Sequence, residues 1–258
     1  MTARAGKSDW NPEAYARFRG LRLRPALDLM AQVGDLPAGD VVDLGCGDGA
    51  AAEALAMTFG RDVVGVDASP AMLSKAEGYA AKVLADIGSW QPAHPPALIF
   101  SNAALQWLPD HPALIARLVG FLPKGGWLAV QMPMQSMAPS HRFLRDIAAA
   151  MFPEIFDFTG YQPPVQRAED YAVWLRALGA VNVWESLYVQ QLQAEAGMHP
   201  VRAFTGSTAM RPIVEKLTGA QAEAFQARYD AALAAAYPLQ ADGSVLFPFR
   251  RVFFTVQV

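Results

Sequence analysis

The chain has 258 residues, 53% of them hydrophobic and 17% charged, with a net charge of −3 and a single cysteine. That length and apolar content suit one α/β domain with a sizeable core, and the acidic balance lacks the basic footprint that nucleic acid requires. No apolar run approaches the roughly 20 residues of a membrane span, a lone cysteine precludes an internal disulfide, and the polar start lacks a signal-peptide core, so a cytoplasmic protein is expected.

In chain order, 25–33 carries Leu27, Leu29, Met30 and Val33 at helical spacing, with Pro25 suited to the first turn. A Pro/Gly turn over 35–40 precedes Val41-Val42-Asp43-Leu44, apolar enough for a central parallel strand. Gly45-Cys46-Gly47-Asp48-Gly49 follows at once, then an alanine-rich helix over 50–59. Residues 62–67 form a second strand, and Ser69-Pro70 caps a helix reaching about Ala81. Short strands follow over 82–86 and 97–100, the latter running into Ser101-Asn102. A helix over 112–122 closes on Pro123-Lys124-Gly125-Gly126, and 127–132 is a fifth strand. After Pro133 come helices over 140–151 and 168–178, a strand over 181–191, a helical stretch over 200–237 interrupted near Gly206 and Gly219, and a β-rich end over 246–258.

Strands alternating with helices predict an α/β fold with a doubly wound, mostly parallel, seven-stranded sheet. The expected organisation is one domain, 1–258: a core over about 35–133, final strands at about 181–191 and 246–258, and helical lid insertions over about 134–178 and 200–240. The lid is expected to cover the carboxyl edge of the sheet, where such folds bind ligands.

Strand, glycine turn and helix around Asp43–Gly49 make the local geometry of a nucleotide-type binding loop. The spacing is G-x-G-x-G with an acid in front, not the dinucleotide G-x-G-x-x-G. An acid aimed at the ligand repels a pyrophosphate and suits a cationic amino group, which moves the reading from a nicotinamide dinucleotide to S-adenosylmethionine. Asp43, Asp67, Asp86 and Asn102 sit at successive strand ends, which converge on one crevice in an open parallel sheet. Each acid alone serves equally well as a turn or cap residue; together behind this loop they outline a cofactor. Asp67 is placed for both ribose hydroxyls and Asp86 for an adenine amino group. Ile87 and Met72 flank the ring, and Asn102 with the glycine backbone meets the methionyl part. Cys46, inside the glycine turn, reads as packing rather than as a nucleophile. The methionines have no His or Cys partners at metal-ligand spacing, so no metal is expected.

Asp43 to Gly49 resembles the first motif of class I S-adenosylmethionine-dependent methyltransferases, with Asp67 and Asp86-Ile87 where that family has its second and third motifs. The resemblance implies a Rossmann-like fold and a cofactor site of Asp43, Gly45, Gly47, Asp67, Ala68, Met72, Asp86, Ile87 and Asn102. Asp48 departs from the family, which often has proline there. Further segments resemble the branch of the family that methylates a carboxylate of trans-aconitate. They are Ser8-Asp9-Trp10-Asn11-Pro12, Asp67 to Met72, Asn102 to His111, Ala129 to Pro133, Gly206 to Pro212 and Tyr237 to Gln240.

That resemblance implies a small tricarboxylate acceptor and no dedicated base, since a carboxylate of pKa about 4 is already ionised at neutral pH. No catalytic residue is expected beyond positioning by Gln106 and Trp107. Residues suited to hold the acceptor are Gln106, Trp107, His141, Arg142, Arg211, Tyr229 and Arg250, arginine being best suited to bidentate capture. Alternation along the last strand sends only one of Arg250 and Arg251 inward, and Arg250 is expected to be that one. Trp10, Tyr15 and Arg24 are expected to close over the methionine end. Other small or carrier-linked carboxylic acids, and a non-catalytic sensor of the cofactor, remain alternatives.

Overall fold

The computed structural model describes residues 19–206 and 208–258, so Trp10 and Tyr15 lie outside the described residues. Among the described residues one sheet holds seven strands in the order β3-β2-β1-β4-β5-β7-β6. They are β1 (Val41–Leu44), β2 (Val63–Asp67), β3 (Ala81–Leu84), β4 (Leu98–Asn102), β5 (Trp127–Pro133), β6 (Ala180–Leu192) and β7 (Val245–Gln257). The first five pair in parallel, giving the mostly parallel seven-stranded sheet that the α/β pattern predicts, and an antiparallel hairpin ends it. The chain reverses its winding direction between β1 and β4, which are neighbours. Leu44, Asp67, Leu84 and Asn102 therefore end on one edge of the sheet at a topological switch point.

The chain falls into two compact units. The first gathers residues up to Met132 with Arg167–Trp184 and Val252–Val258; the second gathers Pro133–Gln166 and Glu185–Arg251. In the first, β1 and the start of β4 are buried on both faces, which is why their sequences read as unbroken apolar runs. Helices α1 (Arg19–Met30), α2 (Ala52–Phe59), α3 (Pro70–Lys75), α4 (His111–Val119) and α6 (Ala168–Leu175) belong to this unit. In the second, α9 (Gly219–Ala236) packs on α5 (Pro139–Met151) and α7 (Pro200–Gly206), with the short α8 (Arg211–Val214) between α7 and α9 in the chain. Its core includes Phe225, Tyr229 and Leu233 from α9 and the aromatic contacts of Phe204, Phe247, Phe249 and Tyr237.

Three elements differ from expectation. Helix α1 begins at Arg19, so Pro25 sits inside it rather than at its first turn. Helix α3 stops at Lys75, well short of Ala81, because Gly78 adopts a left-handed φ of 82° and Lys82 on β3 donates to the carbonyls of Leu73 and Ala76. Helix α6, expected in the lid, belongs to the first unit, where Tyr171 is buried against His111 and Phe254.

Candidate active site

The glycine turn is tied to the neighbouring strand: the Gly45 and Cys46 amides both donate to the Val66 carbonyl, at 2.7 and 3.0 Å. Gly45 has φ 83°, and a Cβ there would overlap the Cβ of Ala104 and lie 3.2 Å from Ile87 Cδ1. Gly47 has φ 57°, and its Cβ position is 3.3 Å from Met72 Cε. Any side chain here would fill the space between the loop, Ile87 and Met72, so bare backbone lines it.

Asp67 completes this edge. Its Oδ2 accepts the Gly47 amide and its Oδ1 the Ser69 amide, each at 2.8 Å. Ser69 in turn caps α3 by accepting the Met72 amide at 3.2 Å. Both carboxylate oxygens are thus oriented by backbone, and each retains a lone pair. Ala68 is exposed beside Asp67, Met72 is buried, and Asp48 is half-buried in the turn.

Asp43 behaves differently from the expectation that it is an acid aimed at the ligand. It is only 2% exposed, and its Oδ2 accepts a hydrogen bond from the Tyr79 hydroxyl at 2.6 Å. Burial pushes its carboxyl up to about 7; the Tyr79 bond opposes that rise and the charge of Asp67 adds to it. Tyr79 reaches this position because β2 has a glycine beneath its ring: a Cβ on Gly65 would lie 2.8 Å from it. Sequence reasoning missed Tyr79 by placing it in a helix. Cys46 is a buried free cysteine whose thiol is raised by burial and by the charges of Asp43 and Asp67, the opposite of a reactive thiolate.

At the end of β3, Asp86 is exposed and accepts the Gly88 amide at 2.7 Å, while Ile87 beside it is buried. Arg117 of α4 holds this turn, donating to the carbonyls of Ile87 at 2.5 Å and Trp90 at 2.6 Å. Nothing in the local sequence marks Arg117 for that role. At the end of β4, Asn102 has a buried Oδ1 with no hydrogen-bond partner among the described residues. The chain then turns sharply through Ala103, φ 56°, into a 3-10 turn, Leu105–Trp107. Gln106 Nε2 donates to the Ala103 carbonyl at 2.7 Å, and its Oε1 is buried without a partner among the described residues. Gln106 therefore presents an acceptor, which suits an N–H or O–H better than a carboxylate. Trp107 is 52% exposed. Arg24, on the surface of α1, is paired with Asp28 one turn away at 3.0 Å.

In the second unit the expected acceptor residues divide. Tyr229 is fully buried, donating to the Ser140 carbonyl at 2.6 Å and meeting the Thr205 hydroxyl at 3.2 Å, so it is a core residue that anchors α5. His141 lies next on α5, its Nδ1 3.0 Å from Ser140 Oγ. Burial, and then the Arg145 guanidinium, lower its imidazole to about 4, so it is neutral at pH 7 and offers hydrogen bonding rather than charge. Arg142 is exposed, 3.7 Å from Asp146. Arg211 is 31% exposed and pairs with Glu215 at 2.7 Å. Arg250 corrects the parity expected for the last strand: it is 54% exposed and pairs with Glu185, whereas Arg251 is 3% exposed over the Phe249 ring at 4.6 Å. Alternation does hold from Val245 to Arg250, but it puts the phenylalanines inside and Arg250 out; Arg251 then begins an unbroken buried run. Among the described residues no group of three or more His, Cys, Asp or Glu could hold a metal ion.

A family described as a methyltransferase domain matches residues 15–185. A trans-aconitate 2-methyltransferase from Methylobacterium nodulans is 41% identical over 254 residues, covering 95% of this chain and 97% of that one. The chain belongs to the trans-aconitate 2-methyltransferase family. Another member, from Paracidovorax citrulli, is 40% identical over 95% of this chain and 96% of its own length. Among solved structures, the YcgJ protein of Bacillus subtilis matches with a TM-score of 0.54 at 15% identity, covering 90% of this chain and 97% of that one. A Haemonchus contortus phosphoethanolamine N-methyltransferase 2 in complex with S-adenosyl-L-methionine matches with a TM-score of 0.52 at 17% identity, covering 91% of this chain and 52% of that one. Those two likenesses concern the fold. No helix among the described residues is long and apolar enough to cross a membrane.

Proposed function

We propose that the chain is an S-adenosylmethionine-dependent O-methyltransferase that esterifies one carboxylate of trans-aconitate, at the 2-position its family is named for. The products are the monomethyl ester and S-adenosylhomocysteine. Asp67 carries the donor half of this reading: a carboxylate with both oxygens oriented by the Gly47 and Ser69 amides, at the carboxyl end of β2. Its remaining lone pairs suit two vicinal ribose hydroxyls. Asp86 then takes the adenine amino group, Ile87 and Met72 flank the ring, and Gly45 and Gly47 admit the ligand against bare backbone. The Asn102 oxygen, without a hydrogen-bond partner among the described residues, suits the ammonium of the methionine moiety. Full-length kinship with the family carries the acceptor half.

When bound, the cofactor supplies an electrophilic methyl group on a sulfonium. An oxygen of the acceptor carboxylate forms the new bond to carbon, the carbon–sulfur bond breaks, and its electron pair stays on sulfur. No proton moves, because the carboxylate is already ionised, so the protein's task is alignment and exclusion of water. We assign restraint of the other carboxylates to Arg211, with His141 as a neutral hydrogen-bonding group and the buried Arg251 in the place expected for Arg250. A net charge of −3 does not favour a nucleic-acid partner, and the lone buried thiol suits a reducing cytoplasm.

The test is incubation with methyl-labelled S-adenosylmethionine and trans-aconitate. Labelled monomethyl ester is expected. Binding of S-adenosylhomocysteine by calorimetry, with no labelled ester from trans-aconitate across neutral pH, would refute the acceptor.

A further inference from the structure

Among the buried titratable side chains that the mechanism does not use is a histidine. His111 opens α4 and is 4% exposed, with both ring nitrogens engaged. Nε2 lies 2.9 Å from the Leu105 carbonyl and Nδ1 lies 2.6 Å from the Tyr171 hydroxyl. A carbonyl only accepts, so Nε2 carries the proton and Nδ1 accepts from Tyr171. Tyr171 is itself immobilised: fully buried on α6, stacked on Phe254 at 5.3 Å and edge-on to Trp174 at 5.2 Å.

The other end of this relay is the 3-10 turn that carries Gln106 and Trp107. Inside it, the Trp107 amide donates to Ala104 at 3.2 Å and the Leu108 amide to Leu105 at 3.0 Å. Such a turn has poor hydrogen-bond geometry and little stability of its own. Its entry is held where the Ala103 amide donates to the Gln131 carbonyl at 2.9 Å. Its interior is held by His111 through Leu105, whose side chain is fully buried.

We infer that His111 is a positioning residue: oriented by Tyr171, it sets the Leu105–Trp107 turn and so the placement of Gln106 and Trp107 for methyl transfer. The inference rests on the reading above that this turn adjoins the reacting groups. Burial lowers the imidazole's pKa, which keeps the ring in the singly protonated form that the two contacts require.

The full chain labelled with fluorotryptophan tests this by fluorine NMR, the Trp107 resonance being assigned with Trp107→Phe. In His111→Leu the Trp107 resonance should shift or broaden. The kcat should fall roughly 10- to 100-fold, the cost of a displaced reacting geometry, while the Kd for S-adenosylhomocysteine stays unchanged. His111→Gln, whose amide N–H reaches where Nε2 stood, should restore the resonance and most of kcat. Should His111→Leu fail to fold, Tyr171→Phe removes only the orienting hydroxyl and is read in the same way. An unmoved Trp107 resonance, or a kcat loss matched by an equal loss of cofactor affinity, would overturn the inference. Unchanged kinetics in Trp107→Ala would instead refute the placement of the turn at the reacting groups, leaving the coupling to His111 standing.

Discussion

Replacing Asp67 by alanine probes the donor site at its best-defined point. The carboxylate holds two backbone amides at 2.8 Å, from Gly47 and Ser69, and in the proposed complex two ribose hydroxyls share the remaining lone pairs. Asp67 is half-buried, so water can reach the amides that the substitution frees. The loss in the complex is then that of charge-assisted hydrogen bonds, about 1.5–3 kcal/mol. That corresponds to a Kd for S-adenosylhomocysteine raised roughly 10- to 150-fold. Loss of the Ser69 contact also loosens the start of α3, costing on the order of 1 kcal/mol of stability. Calorimetry gives the first quantity and thermal melting the second, and at saturating cofactor kcat should be largely retained. Asparagine is no rescue, because its single carbonyl oxygen serves only one of the two amides. A Kd within about threefold of the parent, in a variant that melts normally, would refute the ribose assignment.

Asp43 yields a pH prediction. Its carboxyl is raised by burial from 3.8 to about 7, so the folded chain holds a proton that the unfolded chain releases. Its stabilising contribution is fully present below about pH 4 and is lost as pH rises to about 7. Asp43→Asn still accepts from Tyr79 but does not titrate, so the melting temperature of the parent relative to this variant should decline across that window. A difference independent of pH would show that burial does not govern this carboxyl. For Arg211→Ala, steady-state kinetics should show the acceptor KM raised about 10-fold or more, the scale of one charge-assisted contact, with the Kd for S-adenosylhomocysteine unchanged. A parallel loss of cofactor affinity would give Arg211 another role.

Much of the fold was legible in the chain. The central strands read clearly because burial on both faces demands an unbroken apolar run, and that is visible locally in Val41–Leu44 and Ala97–Phe100. The α/β alternation specified the parallel sheet, and parallel strands bring Asp67 and Asn102 to one edge whatever else happens. The helix ends were less legible: α3 stops where Gly78 and Lys82 stop it, and Lys82 acts from the next strand. Parity on the last strand was ambiguous because adjacent arginines look alike to a period of two; the phenylalanines at 247 and 249 decided it.

The sequence by itself determined the glycine turn, the acids at the strand ends and the family, all of which depend on residues close together in the chain. Tertiary structure decided which polar atoms remain available for a ligand. Asp43 gives one oxygen to Tyr79, 36 residues away; Ile87 is held by Arg117, 30 residues away; the turn at Gln106 is anchored by a histidine oriented from 60 residues away. A carboxylate in a sequence is the same carboxylate whether its lone pairs are free or taken. Only the packing of distant segments settles which, because a hydrogen bond forms between groups that are near in space.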